Sequence, residues 1–180
     1  MACKVIASTA AQTLLALALL ASVRVACSAD VAATAPGEGL IFSSAPVRIA
    51  RIQVKAGVSF DDAVESMRLR ANQRNLKYIS VNQLGKEIAA LSDKPSRRIE
   101  IYSFCDGLTA QKMIDADASM VAYMPCRIGI LEDPQGRVWL IAMLIDETVI
   151  QALPAAARES AQDVTATIQE IMVAAARGDL

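Results

Sequence analysis

Histidine is absent from all 180 residues of this sequence. Its absence excludes Ser-His-Asp and Cys-His nucleophile pairs, zinc sites built on two histidines, and haem or copper sites ligated by histidine. It also removes the side chain that most often transfers protons near neutral pH. An enzyme with this sequence would have to use Cys, Asp, Glu, Lys or Tyr, so we expect a protein that is not an enzyme.

Aromatic residues and excess charge are also scarce. The sequence is 54% hydrophobic but only 4% aromatic, which predicts a core made mostly of aliphatic residues and alanine. Lys and Arg number 18 and Asp and Glu number 19, so the formal net charge is −1. Because nucleic-acid binding depends on a basic surface, and no basic stripe is present, we expect no nucleic-acid partner.

The N-terminal segment has the pattern of a secretion signal. Lys4 precedes an apolar run at residues 14–21, and small residues follow at positions 26–29. The apolar run is shorter than the roughly 20 residues of a membrane span. We therefore predict a signal peptide over residues 1–29, cleaved after Ala29. The mature chain would be periplasmic or secreted and would have no transmembrane span.

Two alternatives for this segment remain open. Cys27 could be acylated in a lipoprotein, although Arg24 fits that pattern poorly, or the segment could be an uncleaved anchor. Cleavage after Ala29 would remove two basic residues and no acids, so the net charge of −1 would become −3. Two cysteines, Cys105 and Cys126, would stay in the mature protein.

After a flexible leader over residues 30–45, the sequence predicts a single α+β domain over residues 46–180. Two apolar runs between Met120 and Asp146 flank the sequence Asp-Pro-Gln-Gly at positions 133–136. This turn sequence is typical of a type I turn, and the flanking Ile, Val, Leu and Trp residues favour strands. We therefore predict a β-hairpin at the centre of a sheet.

Three further strands are predicted, at residues 47–54, 76–79 and 99–105. The last of them alternates, so Ile99, Ile101, Ser103 and Cys105 should share one face and Glu100, Tyr102 and Phe104 the other. The strand at residues 47–54 alternates imperfectly, which predicts an irregular first strand.

Helix boundaries are predicted from capping residues. Ser59 is a favourable N-cap, with Asp61 and Asp62 in the first turn, and Asn75 is a favourable left-handed stop. Ser80 and Gln83 form the pattern of a capping box for a second helix. A short third helix should follow Gly107 and end near residue 117.

The clearest predicted helix is the last one, which begins at Pro154. Its apolar residues recur at helical spacing, and Arg177 followed by Gly178 gives the expected C-terminal end. The stripe consists of Ala157, Ala161, Val164, Ile168, Ile171, Met172 and Ala175. We predict that this stripe covers one face of the sheet; a partner helix or a dimer seam is the alternative.

From Val54 to Met143 the chain resembles domain-of-unknown-function family 302 of bacteria. The resemblance lies in Ser-Phe-Asp-Asp-Ala-Val at 59–64, Met-Ile-Asp-Ala-Asp at 113–117, Met-Pro-Cys-Arg-Ile at 124–128, and the hairpin residues Glu132, Asp133 and Gly136. It implies a β-α-β-β-β-β-α layout, similar to the TATA-binding-protein-like fold, with helices packed on one face of an antiparallel sheet. It implies no reaction. The secretion signal, Cys105 and the long C-terminal helix are additions to the family pattern.

Cys105 and Cys126 are the first candidates for chemistry, because each borders a predicted strand and the two could meet at one end of the sheet. A structural disulfide is the favoured interpretation in an exported protein. Two buried free thiols are an alternative. A third interpretation is a functional pair that is redox-active or binds Cu(I) or a haem iron, with Met124 as a further soft ligand. The cofactor is therefore left unknown.

Other polar and aromatic residues give weaker signals. Asp106, Asp115, Asp117, Glu132 and Asp133 could form a carboxylate site, but caps and turns explain them more simply. Arg127, Tyr123 and Trp139 are candidates for binding a ligand.

Three functional hypotheses follow. The favoured one is a non-enzymatic exported module that binds a small ligand or a partner on a sheet face or at a homodimer seam. A thiol redox or soft-metal protein that uses Cys105 and Cys126 is the alternative, and an enzyme with carboxylate chemistry is the least favoured.

Overall fold

Five antiparallel strands form one sheet at the centre of the computed structural model, which describes residues 45–180. The strands are β1 (Val47–Gln53), β2 (Lys77–Asn82), β3 (Ile99–Cys105), β4 (Cys126–Glu132) and β5 (Val138–Ile145). Their order in the sheet is β1-β5-β4-β3-β2. The first strand therefore pairs with the last, and β1 and β2 are the two edges of the sheet.

Helices pack on one face of this sheet, as the sequence predicts. The described residues form the helices α1 (Phe60–Gln73), α2 (Leu84–Ser92), α3 (Gly107–Ala116), a 3₁₀ helix (Ala118–Tyr123), α4 (Glu147–Ala152) and the long α5 (Ala155–Arg177). α1 and α5 pack against each other, and α5 also contacts β1, β4 and β5. The α+β class and the long C-terminal helix are confirmed. Within residues 45–180, none of the helices combines the length and the apolar character that crossing a bilayer requires.

The inner face of the sheet, which α1 and α5 cover, carries the main core. Directly paired residues of antiparallel strands point to the same side, so the strand register assigns each residue to a face. The inner positions include Tyr102, Phe104, Ile128, Ile130, Leu140, Ala142 and Leu144, all of them buried. The apolar stripe predicted for α5 is buried along its whole length. Its packing on the sheet is confirmed for the C-terminal half, residues 168–175, whereas Ala157 and Ala161 pack in a second apolar cluster that also contains Met113 and Met120.

Local capping explains both ends of α1 and the C-terminal end of α5. The hydroxyl of Ser59 accepts a hydrogen bond from the Asp62 N–H, and the Asp62 carboxylate accepts one from the Ser59 N–H. Asn75 has a positive φ of 57°, as predicted for a left-handed stop. At the other end of the domain, Gly178 adopts φ 70° and closes α5 through hydrogen bonds to the last turn.

The start of the second helix differs from the prediction. Ser80 does not cap α2; it lies within β2, paired with Ser103, beyond a bulge between Tyr78 and Ser80. The N-cap of α2 is Gln83, and its side chain makes no capping hydrogen bond. The capping-box pattern was misleading because pairing with β3 extends β2 through residues that could equally have begun a helix. The expected irregularity of β1 is also wrong, since its seven pairs with β5 run without a shift.

The predicted hairpin turn is confirmed, and a single carboxylate organises it. The Gly136 N–H donates to the Asp133 carbonyl at 3.0 Å, which closes the turn. The Asp133 carboxylate accepts hydrogen bonds from the backbone N–H groups of Gln135 and Arg137, and from the side chains of Arg137 and Trp139. This arrangement fixes the register of β4 against β5, and with it the faces on which their side chains lie.

Several predictions concern residues outside the described range. They are the signal peptide over residues 1–29, cleavage after Ala29, acylation of Cys27 and almost all of the leader over residues 30–45.

Candidate functional site

The outer face of the sheet, opposite α1 and α5, is open to solvent at its centre. α5 is the helix that packs closely on β1, β4 and β5 within the described residues, and it lies on the inner face. The apolar residues at outward positions include Ile49, Ile99, Ile101, Leu131, Trp139, Ile141 and Met143. Ile49 keeps 60% of its surface exposed and Met143 keeps 36%. The centre of the outer face is therefore an apolar surface that residues 45–180 leave without a cover.

The charged residues at the outward positions of the described strands are all basic. Arg51 pairs with Ile141 across β1 and β5, and Arg127 pairs with Ser103 across β4 and β3. Lys77, opposite Cys105, is the third outward cation. The outward positions of the five described strands carry no Asp or Glu. An apolar surface with fixed cations favours ligands that combine an apolar body with a negative charge.

A shallow groove of about 340 Å³ crosses the centre of the outer face. Ile101, Arg127, Leu131, Ile141 and Met143 contribute to its lining. Gly129, on β4, also lines the groove; a Cβ at this position would be in ordinary van der Waals contact with the Ile141 carbonyl oxygen, at 3.6 Å. The volume is at the lower end of the range for small-ligand sites, roughly 300–1,000 Å³.

The two cysteines lie at the same end of the sheet, as predicted, but on opposite faces. Phe104 is the residue that pairs with Cys126, so Cys126 points inward with Phe104 and the adjacent Cys105 points outward. Both are free thiols and do not lie at disulfide distance. A disulfide needs side chains directed toward each other, so the predicted bridge is not formed in this structure.

The environment of the cysteines does not activate them. Burial raises the pKa of the Cys105 thiol, and the neighbouring Asp106 carboxylate raises this pKa further. Burial, followed by the proximity of Cys105, raises the pKa of Cys126 to about 11. Arg127 lies on the face opposite Cys126, so it does not activate that thiol. Reactive thiols need a lowered pKa, and a thiol redox function is therefore not favoured.

The three ligand-binding candidates of the sequence lie in three different places. Arg127 borders the outer groove, whereas Tyr123 borders a small cavity on the other side of the sheet together with Met124 and Cys126. Trp139 lies on the outer face beside the turn and donates a hydrogen bond from Nε1 to Asp133 at 3.1 Å. The guanidinium of Arg51 lies over the Trp139 ring, 5.6 Å from the ring centroid.

The acidic candidates serve as caps and turn residues. The Asp106 carboxylate accepts from the Leu108 N–H at the start of α3, and the Asp117 carboxylate accepts from the Ser119 N–H at the start of the 3₁₀ helix. Asp133 organises the hairpin turn. Within residues 45–180, no group of three or more His, Cys, Asp or Glu side chains is placed to hold a metal ion.

A buried carboxylate that was not among the sequence-predicted site residues lies near the start of β3, on the inner face of the sheet. Glu100 is 4% exposed; it accepts hydrogen bonds from Arg98 Nε at 2.9 Å and from the Tyr102 hydroxyl at 2.6 Å. Arg98 also pairs with Asp61 at 2.7 Å and lies 3.9 Å from the ring centroid of Phe60. Burial, and then the Glu100 carboxylate, raise the pKa of Tyr102.

This network has a signal in the sequence, because Arg98, Glu100 and Tyr102 alternate along one face of a strand. Its carboxylate is fully engaged by a guanidinium and a hydroxyl, which is the pairing that a buried charge requires. We therefore assign it a structural role that fixes β3 to the start of α1.

The arrangement described above matches one protein family. Residues 52–175 match the family profile described as "Domain of unknown function DUF302". The chain belongs to the DUF302 family. The match reaches well into α5, so the long C-terminal helix is part of the DUF302 domain. The prediction that this helix is an addition to the family pattern is wrong.

A solved member of the family supports the fold. The crystal structure of an uncharacterized conserved DUF302 protein from Bacillus stearothermophilus superposes with a TM-score of 0.60 at 12% sequence identity. The superposition covers 71% of this chain and 97% of that protein. At this identity the similarity establishes the DUF302 fold and no activity. No curated protein is significantly similar to this chain.

Proposed function

We propose that this DUF302 domain is a non-enzymatic module that binds a small apolar anion on the outer face of its sheet. The observation that carries the proposal is the combination of exposed apolar side chains with cations as the sole charges at the outward strand positions. Arg127 borders the groove and would pair with the negative group of the ligand. The apolar part would lie along Ile101, Leu131 and Ile141.

The same charges argue against a second copy as the occupant of this face. Two copies packed face to face would bring Arg51 and Arg127 toward the same residues of the partner, with no outward acid in either sheet to compensate. Like charges held together at an interface disfavour association. We therefore do not expect a homodimer through this face, and the experiment below includes a measurement that would detect one.

Decanoate is a suitable probe, because it joins a carboxylate to an unbranched apolar chain. We expect saturable binding by titration calorimetry, weakened about 5-fold in Arg127→Gln, since an exposed ion pair contributes about 1 kcal/mol. Lys112→Gln is the matched control, because it removes an exposed positive charge on α3, away from the outer face. Decanol, which lacks the charge, should bind wild type and Arg127→Gln equally.

Equal binding of decanoate to wild type and Arg127→Gln would contradict the proposed site. Sedimentation analysis at several protein concentrations tests the competing occupant. A stable dimer that Ile141→Asp converts to a monomer would show that a second copy covers the face, and would overturn the ligand proposal.

We further propose that the domain works in the periplasm or outside the cell after cleavage following Ala29. The support is the sequence pattern of residues 1–29 alone. Mass spectrometry of the protein purified from its native host tests this proposal. A mature N-terminus at Asp30 is expected, whereas a lipid attached to Cys27 would establish the lipoprotein alternative and an intact residue 1 would exclude both.

A further inference from the structure

A second cavity, with a volume of about 20 Å³, lies on the inner side of the sheet between the start of β4, the end of β5, α3 and the middle of α5. The sulfur-bearing residues Met113, Met124 and Cys126 border it. Met113 is 3% exposed, and Cys126 and Met124 are half-buried. Three sulfur-bearing residues from two chain segments, α3 and residues 124–126, therefore border one small space.

The size of the cavity limits its occupant to a single atom or one water molecule. A cavity must offer roughly 10–15 Å³ to hold one water, so about 20 Å³ has room for one particle of that size and excludes an organic ligand. The cavity is thus too small for the haem considered in the sequence analysis. The remaining choice is between a water molecule and a single ion.

Thr165 supplies an independent sign that the cavity has an occupant. Thr165 lies on α5, borders the cavity and is 8% exposed, and its Oγ1 has no hydrogen-bond partner in the described structure. Buried hydroxyl groups almost always have a partner. A water molecule needs two to four polar partners, and Thr165 and Tyr123 are the two residues bordering the cavity whose side chains carry oxygen. Sulfur is a weak acceptor, so the sulfur-rich lining suits a soft ion better than water.

We propose that this cavity binds one Cu(I) ion through the Cys126 thiolate and the Met113 and Met124 thioethers. Soft thiolate and thioether ligands select Cu(I), and two or three of them are a sufficient set for this ion. When Cu(I) binds, the sulfur–hydrogen bond of Cys126 is replaced by a sulfur–copper bond and the proton passes to solvent; no oxidation or reduction occurs. The Thr165 hydroxyl, which has no partner in the described structure, would rotate to donate a hydrogen bond to the thiolate once the ion is bound, and would act as a positioning residue.

Two other sulfur-bearing residues are excluded from the ligand set by the sheet. Cys105 lies on the outer face and does not border the cavity. Met143 borders it but pairs with Ile49, which places its side chain on the outer face, where it also lines the groove. The site therefore differs from the Cys105–Cys126 pair that the sequence suggested.

The test is a titration of the purified protein with Cu(I) under reducing, anaerobic conditions, in competition with a chromogenic Cu(I) chelator. One ion per chain is expected, together with an ultraviolet thiolate-to-copper absorption band. Cys126→Ser should abolish the band and weaken binding at least 100-fold. Met113→Leu and Met124→Leu should each weaken binding by at least the roughly 10-fold that loss of a supporting residue costs at metal sites.

Matched controls separate this site from adventitious binding. Cys105→Ser removes the outward thiol, and Met120→Leu alters a buried methionine that packs in the same apolar cluster as Met113 but does not border the cavity. Both should bind Cu(I) as wild type does. If Cys105→Ser weakens binding as much as Cys126→Ser, or if Cys126→Ser leaves affinity and absorption unchanged, the proposal is wrong.

Folding is checked independently, so that a negative result is informative. Circular dichroism and the melting temperature without copper should show that Met113→Leu and Met124→Leu are folded, because the two side chains are close in volume. Thr165→Val should raise the melting temperature without copper and lower Cu(I) affinity several-fold. A Cu(I) affinity of Thr165→Val that equals or exceeds that of wild type would show that Thr165 takes no part in binding and would overturn its role.

Discussion

The two faces of the five-stranded sheet carry similar apolar side chains but differ in solvent exposure. The inner face carries Phe104, Ile128 and Leu140, each fully buried under α1 and α5. The outer face carries Ile49, Ile101 and Ile141 from the same or neighbouring strands, and its centre is left uncovered by residues 45–180. Burial is therefore not a property of the apolar residues themselves. It depends on the side of the sheet on which the connections after β1 and β5 place α1 and α5; the described residues leave the centre of the other face exposed.

The largest expected effect of a single substitution is at the centre of the inner face. Phe104→Ala should lower the free energy of unfolding by about 3–5 kcal/mol, because it removes a fully buried ring and leaves a cavity. Urea unfolding followed by circular dichroism measures this change. Ile49→Ala, on the outer face, should change the free energy by no more than about 0.5 kcal/mol. A large loss in Ile49→Ala would mean that the outer face is covered in solution, and the contrast between the faces would fail.

A smaller effect is expected where the inner face holds its buried charge. Tyr102→Phe should lower the free energy of unfolding by about 1.5–3 kcal/mol, because the buried Glu100 carboxylate loses the hydrogen bond that the Tyr102 hydroxyl donates to it at 2.6 Å. Tyr78→Phe is the control, since Tyr78 is 42% exposed and contacts Tyr102 and Phe104 through its ring. Equal stabilities for Tyr102→Phe and Tyr78→Phe would indicate that Arg98 alone satisfies Glu100.

The smallest expected effect is confined to acid pH and concerns the turn that sets the faces of β4 and β5. Burial of Asp133 acts to raise its pKa, but the hydrogen bonds from Arg137, Trp139 and Gln135 outweigh this and hold it at about 2, below the ordinary value of 3.8. A carboxyl group whose pKa is lower in the folded than in the unfolded state stabilises the fold at pH values above its unfolded-state pKa. This contribution is lost as the pH falls from about 4 to about 2.

The melting temperature measured between pH 5 and pH 2 tests this prediction. Asp133→Asn should show a shallower decline than wild type over that interval, while it is less stable at pH 5, where the charged carboxylate is fully effective. Asp115→Asn is the control, because Asp115 is exposed near the end of α3 and makes no hydrogen bond with its side chain in the described structure. Identical pH profiles for wild type and Asp133→Asn would contradict the role of the carboxylate.

Local signals in the sequence were sufficient for much of the fold. Ser59, Asn75 and Gly178 specify helix ends through contacts within a few residues, and the hairpin turn at residues 133–136 is equally local. The stripe of α5 predicted a buried face because helical periodicity is independent of the partner. The resemblance to DUF302 added the antiparallel layout, which local signals do not provide.

Other features depend on strand pairing and could not be read from local patterns. The prediction that Cys105 and Cys126 lie at the same end of the sheet is correct, but the register pairs Cys126 with Phe104, one residue earlier. Because side chains alternate along a strand, one residue separates a shared face from opposite faces. Ser80 failed for a related reason, since a bulge in β2 and pairing with β3 overrode its capping pattern. The sulfur-lined cavity likewise requires knowing that α3, β4 and α5 meet.

The pairing of β1 with β5 has a consequence for the timing of synthesis. Val47 pairs with Ile145, 98 positions later in the chain, and the Lys55 N–H donates to the Ala176 carbonyl at 2.8 Å. At the usual elongation rate of roughly 5–20 residues per second, β1 waits on the order of 5–20 s after it is made before its partner strand exists. During this interval a nascent chain exposes an unpaired edge with two isoleucines, so its need for chaperones should be greatest before translation ends.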